Sequence, residues 1–125
     1  MIECRAPKTK KEFEQYFKPI KITDNTEASL FGFPIVCCSA EMRNKLQAFL
    51  EDNGIETRPI VCGNMTRQPA FKNYKYKVFG DSLVGADDIM DKGLYWGNNP
   101  LMTEEEISYL VTIIKEFFNN EKSLN

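Results

Sequence analysis

The residues of this sequence best suited to binding chemistry lie around one short turn. Arg58 comes first, and Asn64, Arg67 and Gln68 follow it closely. Arginine presents a planar fork of donors that matches phosphate or carboxylate, and amide side chains pair with sugar hydroxyls or base edges. Gly63 would let the backbone approach a ligand closely. Two interpretations follow: a grip on an anionic, polar ligand, or an ordinary solvated loop.

A second group combines positive charge with aromatic rings. No acidic residue interrupts it, and its members are Arg67, Phe71, Lys72, Tyr74, Lys75, Tyr76 and Lys77. Such a segment can bind single-stranded nucleic acid by phosphate contact and base stacking; the alternative is a mobile hairpin or an interface loop. The chain has 16 basic and 18 acidic residues and a net charge of −2, which gives no general electrostatic case for nucleic acid or an anionic membrane. We expect neither as a partner.

Three carboxylates, Asp87, Asp88 and Asp91, could together hold a hard cation. Their spacing lacks the glycine and the terminal glutamate of a calcium loop. The pattern is more typical of a capped, solvated helix start, and we expect no metal there.

The cysteines and the missing histidine limit the possible chemistry further. The chain has no histidine and no CxxC pair among its cysteines, which are Cys4, Cys37, Cys38 and Cys62, so we expect no structural zinc site. We interpret the cysteines as small apolar thiols in a reducing cytosol. Without histidine there is no Ser-His or Cys-His catalytic pair, and we assign no catalytic residue. The start of the sequence lacks the apolar segment of a signal peptide, which favours a cytoplasmic location.

Local patterns predict the elements that position these groups. Capping boxes, a glycine stop and apolar periodicity mark the helices, and short β-branched runs mark the strands. In chain order the first are a short helix at 9–19, a buried strand at 31–38, a helix at 39–54 and a second strand at 55–61, which Pro59 places at a sheet edge or interrupts. An irregular region at 63–84 follows, with an extended or mobile part at 74–79. The last are helical turns at 85–93, a short strand or loop at 94–100, an amphipathic helix from Thr103 and a frayed tail at 119–125.

This order of elements predicts the fold class. It favours one small α+β domain over residues 1–125, with helices packed on one face of a small, mainly antiparallel sheet.

Three stretches resemble a known protein family. They are "FGFPI", "RNKLQAFLEDNGIETRPIVCGNMTRQPAF" and "DDIMDKGLYWGNNPLMTEEEISYL". Together they are similar to the C-terminal part of the DegT/DnrJ/EryC1/StrS aminotransferase family over roughly residues 31–118. The stretch "ETRPIVCGNMTRQP" resembles the "TR…GN…RQP" signature of the sugar-nucleotide 3-dehydratases within that family, and the "Y-x-P-L-H" type segment of the ordinary sugar aminotransferases is not present.

The resemblance implies a fold and a function. The family has fold type I of the pyridoxal-phosphate enzymes, in which a large domain binds the cofactor and a small C-terminal α+β domain closes over the substrate, and it works as homodimers. The chain resembles only the small domain, so the cofactor, pyridoxal or pyridoxamine 5'-phosphate, is expected in the complete enzyme and not on this chain, which is expected to be inactive alone. The implied substrate is a nucleotide-linked 4-keto-6-deoxyhexose of deoxysugar and lipopolysaccharide biosynthesis.

The resemblance also gives the polar turn a role. Arg58, Gly63, Asn64, Arg67 and Gln68 would be the small domain's contribution to substrate binding, with an arginine at the diphosphate and the amides at sugar hydroxyls or holding the loop. An alternative is a stand-alone module that binds a nucleotide sugar or regulates a relative without catalysis.

Overall fold

The computed structural model describes residues 17–80 and 82–123. Four strands in these two ranges form one antiparallel sheet in the order β1-β2-β4-β3, with β1 at Phe17–Pro19, β2 at Gly32–Cys37, β3 at Thr57–Arg58 and β4 at Gly93–Gly97. Within the described residues three helices accompany it: α1 at Ala40–Asp52, α2 at Val84–Lys92 and α3 at Glu104–Ser123. The predicted α+β class with a mainly antiparallel sheet is confirmed.

The two central strands carry the inner face of the sheet. Ile35 pairs with Leu94 and Phe33 pairs with Trp96 in the β2–β4 register, so these side chains share one face. The rings of Phe33 and Trp96 stack with their centroids 5.2 Å apart. Helices α1 and α3 pack on this face, and the buried core residues are Phe17, Ile35, Cys37, Met42, Leu46, Leu50, Leu94, Trp96, Ile113, Ile114, Phe117 and Phe118.

Helix α1 begins and ends where its local sequence predicts. The Ser39 hydroxyl accepts a hydrogen bond from the Met42 amide at 3.1 Å, which caps the first turn. Met42, Leu46 and Leu50 recur on one side and are buried. The chain then turns through Gly54, as the sequence predicts for a residue just beyond a helix end.

Helix α3 begins with the predicted capping box. The Thr103 amide donates to Glu106 Oε2 at 2.7 Å, and the Glu106 amide donates to the Thr103 hydroxyl at 3.2 Å. Its buried side carries Ile113, Ile114, Phe117 and Phe118, whereas Ile107 and Val111 stay exposed. The helix continues to Ser123, so it includes the first residues of the predicted tail, and the fraying of 119–125 stays a prediction.

Two predicted elements differ from the structure. Phe17–Pro19 is strand β1, paired with β2 in the register Phe17↔Cys37, so the prediction of a helix up to Pro19 is wrong there; its residues 9–16 lie outside the described residues. The predicted strand at 55–61 is reduced to Thr57–Arg58, because Pro59 has no N–H to continue the ladder.

The second half of the chain holds the candidate site. Residues 61–83 contain no strand among those described, and two short 3₁₀ turns, Met65–Arg67 and Pro69–Asn73, interrupt the loop. The extended alternative for 74–79 is not adopted as a strand. The helical turns and the short strand that the sequence predicts next are confirmed as α2 and β4.

Candidate functional site

The polar turn is a left-handed bend fastened to helix α2. Cys62 and Gly63 both have positive φ angles, 64° and 45°. Gly63 lies directly against Met90 of α2: a Cβ added to Gly63 would contact the Met90 Cβ and lie 2.7 Å from the Met90 Cα. Glycine is therefore needed here both for the backbone conformation and for the close approach to the helix. We call residues 62–68 the polar loop.

Asn64 is the buried centre of the polar loop. It is only 4% exposed. Its Nδ2 donates to Asp87 Oδ1 at 2.8 Å, and its Oδ1 accepts hydrogen bonds from the Thr66 amide at 3.0 Å and the Thr66 hydroxyl at 2.7 Å. Both ends of the amide are thus satisfied within the protein, which is the usual condition for burying such a group. Asn64 caps the first 3₁₀ turn and joins it to α2.

Arg67 is held between two carboxylates of helix α2. Its Nη1 donates to Asp87 Oδ1 at 3.2 Å and to the two Asp91 carboxylate oxygens at 3.0 and 3.1 Å. The side chain remains 45% exposed. Hydrogen bonds from the Asn64 amide and from the Arg67 guanidinium hold the pKa of Asp87 below its usual range, so this carboxylate stays charged at neutral pH.

The remaining two residues of the predicted site are placed differently. Gln68 Nε2 donates to the Cys62 carbonyl at 3.1 Å, which closes the polar loop across its own ends. Arg58 lies outside the polar loop, on edge strand β3, where it pairs with Glu56 and its side chain is 65% exposed. The structure therefore brings Gly63, Asn64, Arg67 and Gln68 together in one loop, whereas Arg58 belongs to the sheet edge.

The aspartates are part of this arrangement, which the sequence reasoning missed. Asp87 and Asp91 bind Arg67, and Asp88 Oδ1 accepts from Lys92 Nζ at 2.6 Å. Within residues 17–80 and 82–123, no group of three or more acidic or thiol side chains is placed to hold a metal ion. The spacing of Asp87 and Asp91, one helical turn apart, is the signal that could have predicted a shared cationic partner.

The basic, aromatic stretch follows the polar loop. Phe71 is half-buried, and its ring centroid lies 5.2 Å from Tyr76 and 6.3 Å from Tyr74. Lys72, Lys75 and Lys77 are exposed.

The cysteines differ in their surroundings. Cys37 is buried in the core, Cys38 is half-buried and Cys62 is exposed, and all three are free thiols. Burial raises the pKa of Cys37 to about 12. None of the helices in the described part of the chain is long and apolar enough to cross a membrane.

Comparison with known proteins gives these features a family context. The model of the DegT/DnrJ/EryC1/StrS aminotransferase family matches residues 7–115. The lipopolysaccharide biosynthesis protein RfbH of Salmonella typhimurium is 40% identical over 98 residues, which cover 77% of this chain and 22% of that protein. The GDP-4-keto-6-deoxy-D-mannose 3-dehydratase of Yersinia pseudotuberculosis is 34% identical over 93 residues, which cover 72% of this chain and 23% of that protein.

A solved structure shows the same fold. The GDP-4-keto-6-deoxy-D-mannose 3-dehydratase of E. coli, solved with bound hydrated PLP, superposes with a TM-score of 0.69 at 31% identity and covers 80% of this chain and 26% of that one. This chain spans less than a quarter of the length of the curated relatives it matches. Because the family model covers most of its residues, the chain belongs to the DegT/DnrJ/EryC1/StrS aminotransferase family.

Proposed function

We propose that this chain is the small domain of a sugar-nucleotide 3-dehydratase, or of a closely related aminotransferase, in deoxysugar or lipopolysaccharide biosynthesis. The names of the relatives support this assignment, since one is a lipopolysaccharide biosynthesis protein and another a 3-dehydratase of a GDP-linked keto sugar. The substrate would be a nucleotide-linked 4-keto-6-deoxyhexose. The small domain would work with a larger domain, in the same chain or in another. The complete enzyme would be a homodimer in the cytoplasm.

The cofactor would be held by the larger domain. Pyridoxal or pyridoxamine phosphate needs a cradle of donors for its phosphate and a carboxylate for its ring nitrogen. In residues 17–80 and 82–123 the clustered carboxylates are already bound, Asp87 and Asp91 by Arg67 and Asp88 by Lys92. The chain also has no histidine to serve as a base near the cofactor. These residues do not fit the cofactor, so we assign none of the chemical steps on it to this chain.

The polar loop is the part of the chain that would meet the substrate. The observation that carries this proposal is that Asn64, Gln68 and Gly63 fix the loop to α2 and to itself while the Arg67 side chain stays 45% exposed. A guanidinium held in one orientation loses little freedom when it binds a neutral polar group such as a sugar hydroxyl. In this proposal Arg67 of the polar loop and Arg58 of the separate sheet edge are the contact residues, and Gly63, Asn64 and Gln68 are positioning residues.

A segment exchange tests the proposal in a working enzyme. Residues 7–115 would replace the matched segment of the Yersinia pseudotuberculosis 3-dehydratase, and loss of the C3 hydroxyl from GDP-4-keto-6-deoxy-D-mannose would be followed. We expect turnover by the chimera. Arg67→Ala should lower kcat/KM at least tenfold, since a hydrogen bond to a charged group contributes about 1.5–3 kcal/mol. A folded, cofactor-loaded chimera without turnover would contradict the proposal.

Two further variants separate substrate binding from loop structure. Asp91→Asn removes the negative charge of one partner of Arg67 but keeps the guanidinium, so it should lower kcat/KM less than Arg67→Ala. Lys115→Ala, an exposed change on α3, serves as the matched control. If Arg67→Ala leaves both substrate affinity and turnover unchanged, Arg67 is not a substrate contact. Tight binding of a nucleotide sugar by the chain alone, with an inactive chimera, would instead favour a stand-alone binding module.

A further inference from the structure

Residues 71–77, which we call the lysine–tyrosine segment, start from a fixed point beside the polar loop. The Phe71 amide donates to the Gln68 carbonyl at 3.0 Å, and the Gln68 side chain donates to the Cys62 carbonyl at 3.1 Å. The segment therefore continues directly from the loop that we propose as the substrate contact.

The aromatic side chains of the segment are arranged around Phe71. This ring is half-buried and meets Tyr76 edge-on at 5.2 Å between centroids. Tyr74 and Tyr76 are 67% and 48% exposed. Exposed rings supported by a partly buried one offer flat apolar faces to a planar ligand, and stacking of a base on such a face does not depend on which base it is.

The lysines of the segment carry uncompensated positive charge. In the part of the chain that the structure describes, Lys72, Lys75 and Lys77 have no ion pair, and all three are exposed. Arg58 and Lys92, by contrast, each bind a carboxylate. A lysine ammonium group is a point charge on a flexible stem, and this suits it to phosphate oxygens in variable positions.

The charge balance around the polar loop favours these lysines as the contacts of a diphosphate. Arg67 carries one positive charge and faces two carboxylates, Asp87 and Asp91, so this cluster is negative as a whole. A diphosphate carries at least two negative charges and would be repelled by the free carboxylate charge if it approached the cluster alone. The nearest unpaired positive charges along the chain are those of the lysine–tyrosine segment.

We propose that the lysine–tyrosine segment is a binding site for the nucleoside diphosphate part of the ligand. The ammonium groups of Lys72, Lys75 and Lys77 contact the phosphates, and the exposed rings of Tyr74 and Tyr76 stack on the base. The polar loop is then left to contact the sugar. This inference rests on the proposed function, which supplies a nucleotide sugar as the ligand. Since stacking accepts any base, GDP and dTDP should bind with similar affinity.

Calorimetric titration of the 125-residue chain with GDP, dTDP and inorganic pyrophosphate tests the site. The triple variant Lys72→Gln, Lys75→Gln, Lys77→Gln should weaken binding of all three ligands about tenfold or more, since it removes the charge contacts. Tyr74→Ala should weaken GDP and dTDP about tenfold, in line with the loss of one stacked base, and leave pyrophosphate unchanged. Lys115→Gln, a lysine of α3, is the matched control and should bind like the unchanged chain.

The outcomes distinguish this site from the proposed function itself. GDP binding that is unaffected in both segment variants, or no binding of GDP to the chain, would overturn the assignment of residues 71–77. Turnover by the chimera tests the proposed function separately, and its result holds whether or not residues 71–77 bind GDP. A single-stranded oligonucleotide that binds more tightly than GDP and loses its binding in the triple variant would overturn the assignment in favour of nucleic acid. Circular dichroism of each variant checks that the fold is retained.

Discussion

Asn64 and Asp87 are 23 positions apart in the sequence, and a hydrogen bond of 2.8 Å from the amide of one to the carboxylate of the other joins the polar loop to helix α2. The same Asp87 oxygen also accepts from Arg67 at 3.2 Å. One carboxylate thus fixes the buried residue of the loop and orients its exposed arginine. Substitutions at either end should therefore affect the stability of the loop and the behaviour of the arginine together.

Asn64→Ala should destabilise the protein. It leaves the amide and hydroxyl of Thr66 without their acceptor and leaves the Asp87 carboxylate with Arg67 alone, which costs about 2 kcal/mol of the free energy of unfolding. Urea denaturation measures the change. Asn44→Ala on the exposed side of α1 is the control and should stay within about 0.5 kcal/mol of the unchanged chain. Equal effects of the two substitutions would contradict the central position of Asn64.

Gly63→Ala should destabilise more than Gly54→Ala. Both glycines have positive φ angles, so alanine costs about 1 kcal/mol of backbone strain at either position. Only at Gly63 would the added methyl also meet Met90, including its Cα at 2.7 Å, whereas nothing lies within 4 Å at Gly54. Thermal unfolding of the two variants measures the difference.

A second substitution sharpens the Gly63 prediction. Because the Met90 backbone itself is in the way, Gly63→Ala combined with Met90→Ala should recover only part of the lost stability. Full recovery in the double variant would show that the Met90 side chain alone limits the approach of the loop to α2.

The stability of the protein should decrease with acid partly through Asp87. The pKa of this carboxyl is held below its usual 3.8, first by the hydrogen bond from Asn64 and then by that from Arg67. The unfolded chain therefore takes up this proton more readily than the folded one. The stabilisation is complete above pH 3.8 and is lost as the pH falls through the lower value of the folded state.

Carbon NMR of the Asp87 carboxyl group measures this directly. We expect its titration midpoint below 3.8 in the unchanged chain and closer to 3.8 in Asn64→Ala, where the largest cause of the shift is removed. Asn44→Ala is the control and should leave the midpoint unchanged. A midpoint that does not respond to Asn64→Ala would mean that the hydrogen bond does not stabilise the charged form.

The described cysteines should react with alkylating reagents in an order set by their burial. Cys62 is exposed, whereas Cys37 is buried and burial raises its pKa to about 12, so almost none of it is thiolate at mildly alkaline pH. Mass spectrometry after brief treatment with iodoacetamide should find Cys62 modified and Cys37 intact. Denaturation in urea before labelling should remove the difference. Early modification of Cys37 in the native protein would mean that the core opens around β2.

Elements determined by neighbouring residues could be predicted from the sequence. Helix α1 follows from its Ser39 cap and its apolar spacing, and helix α3 follows from the Thr103–Glu106 capping box. Strand β1 could not be predicted in this way, because its pairing joins Phe17 to Cys37 and the aromatic spacing before it also suits a helix.

The candidate site, too, could be predicted from the sequence only where neighbouring residues determine it. The polar residues of the loop could be recognised by type, but their partners lie on α2. The sequence pattern of the aspartates there indicates a solvated helix start or a cation site, and neither interpretation includes an ion pair with Arg67. The ion pair between Arg67 and Asp91 could not be predicted, because the two residues are far apart in the sequence and only the fold brings them together. Whether Arg58, Gly63, Asn64, Arg67 and Gln68 bind a substrate stays a prediction.

The close approach of Gly63 to Met90 has a consequence for protein engineering. Residues 62–68 and residues 84–92 should be transferred to another protein only together. The loop alone would lack the carboxylate that binds its buried Asn64 amide, and it would lack the helix surface against which its left-handed bend at Gly63 packs. A graft that moves both segments together would keep the hydrogen bond from Asn64 to Asp87 and the contact of Gly63 with Met90.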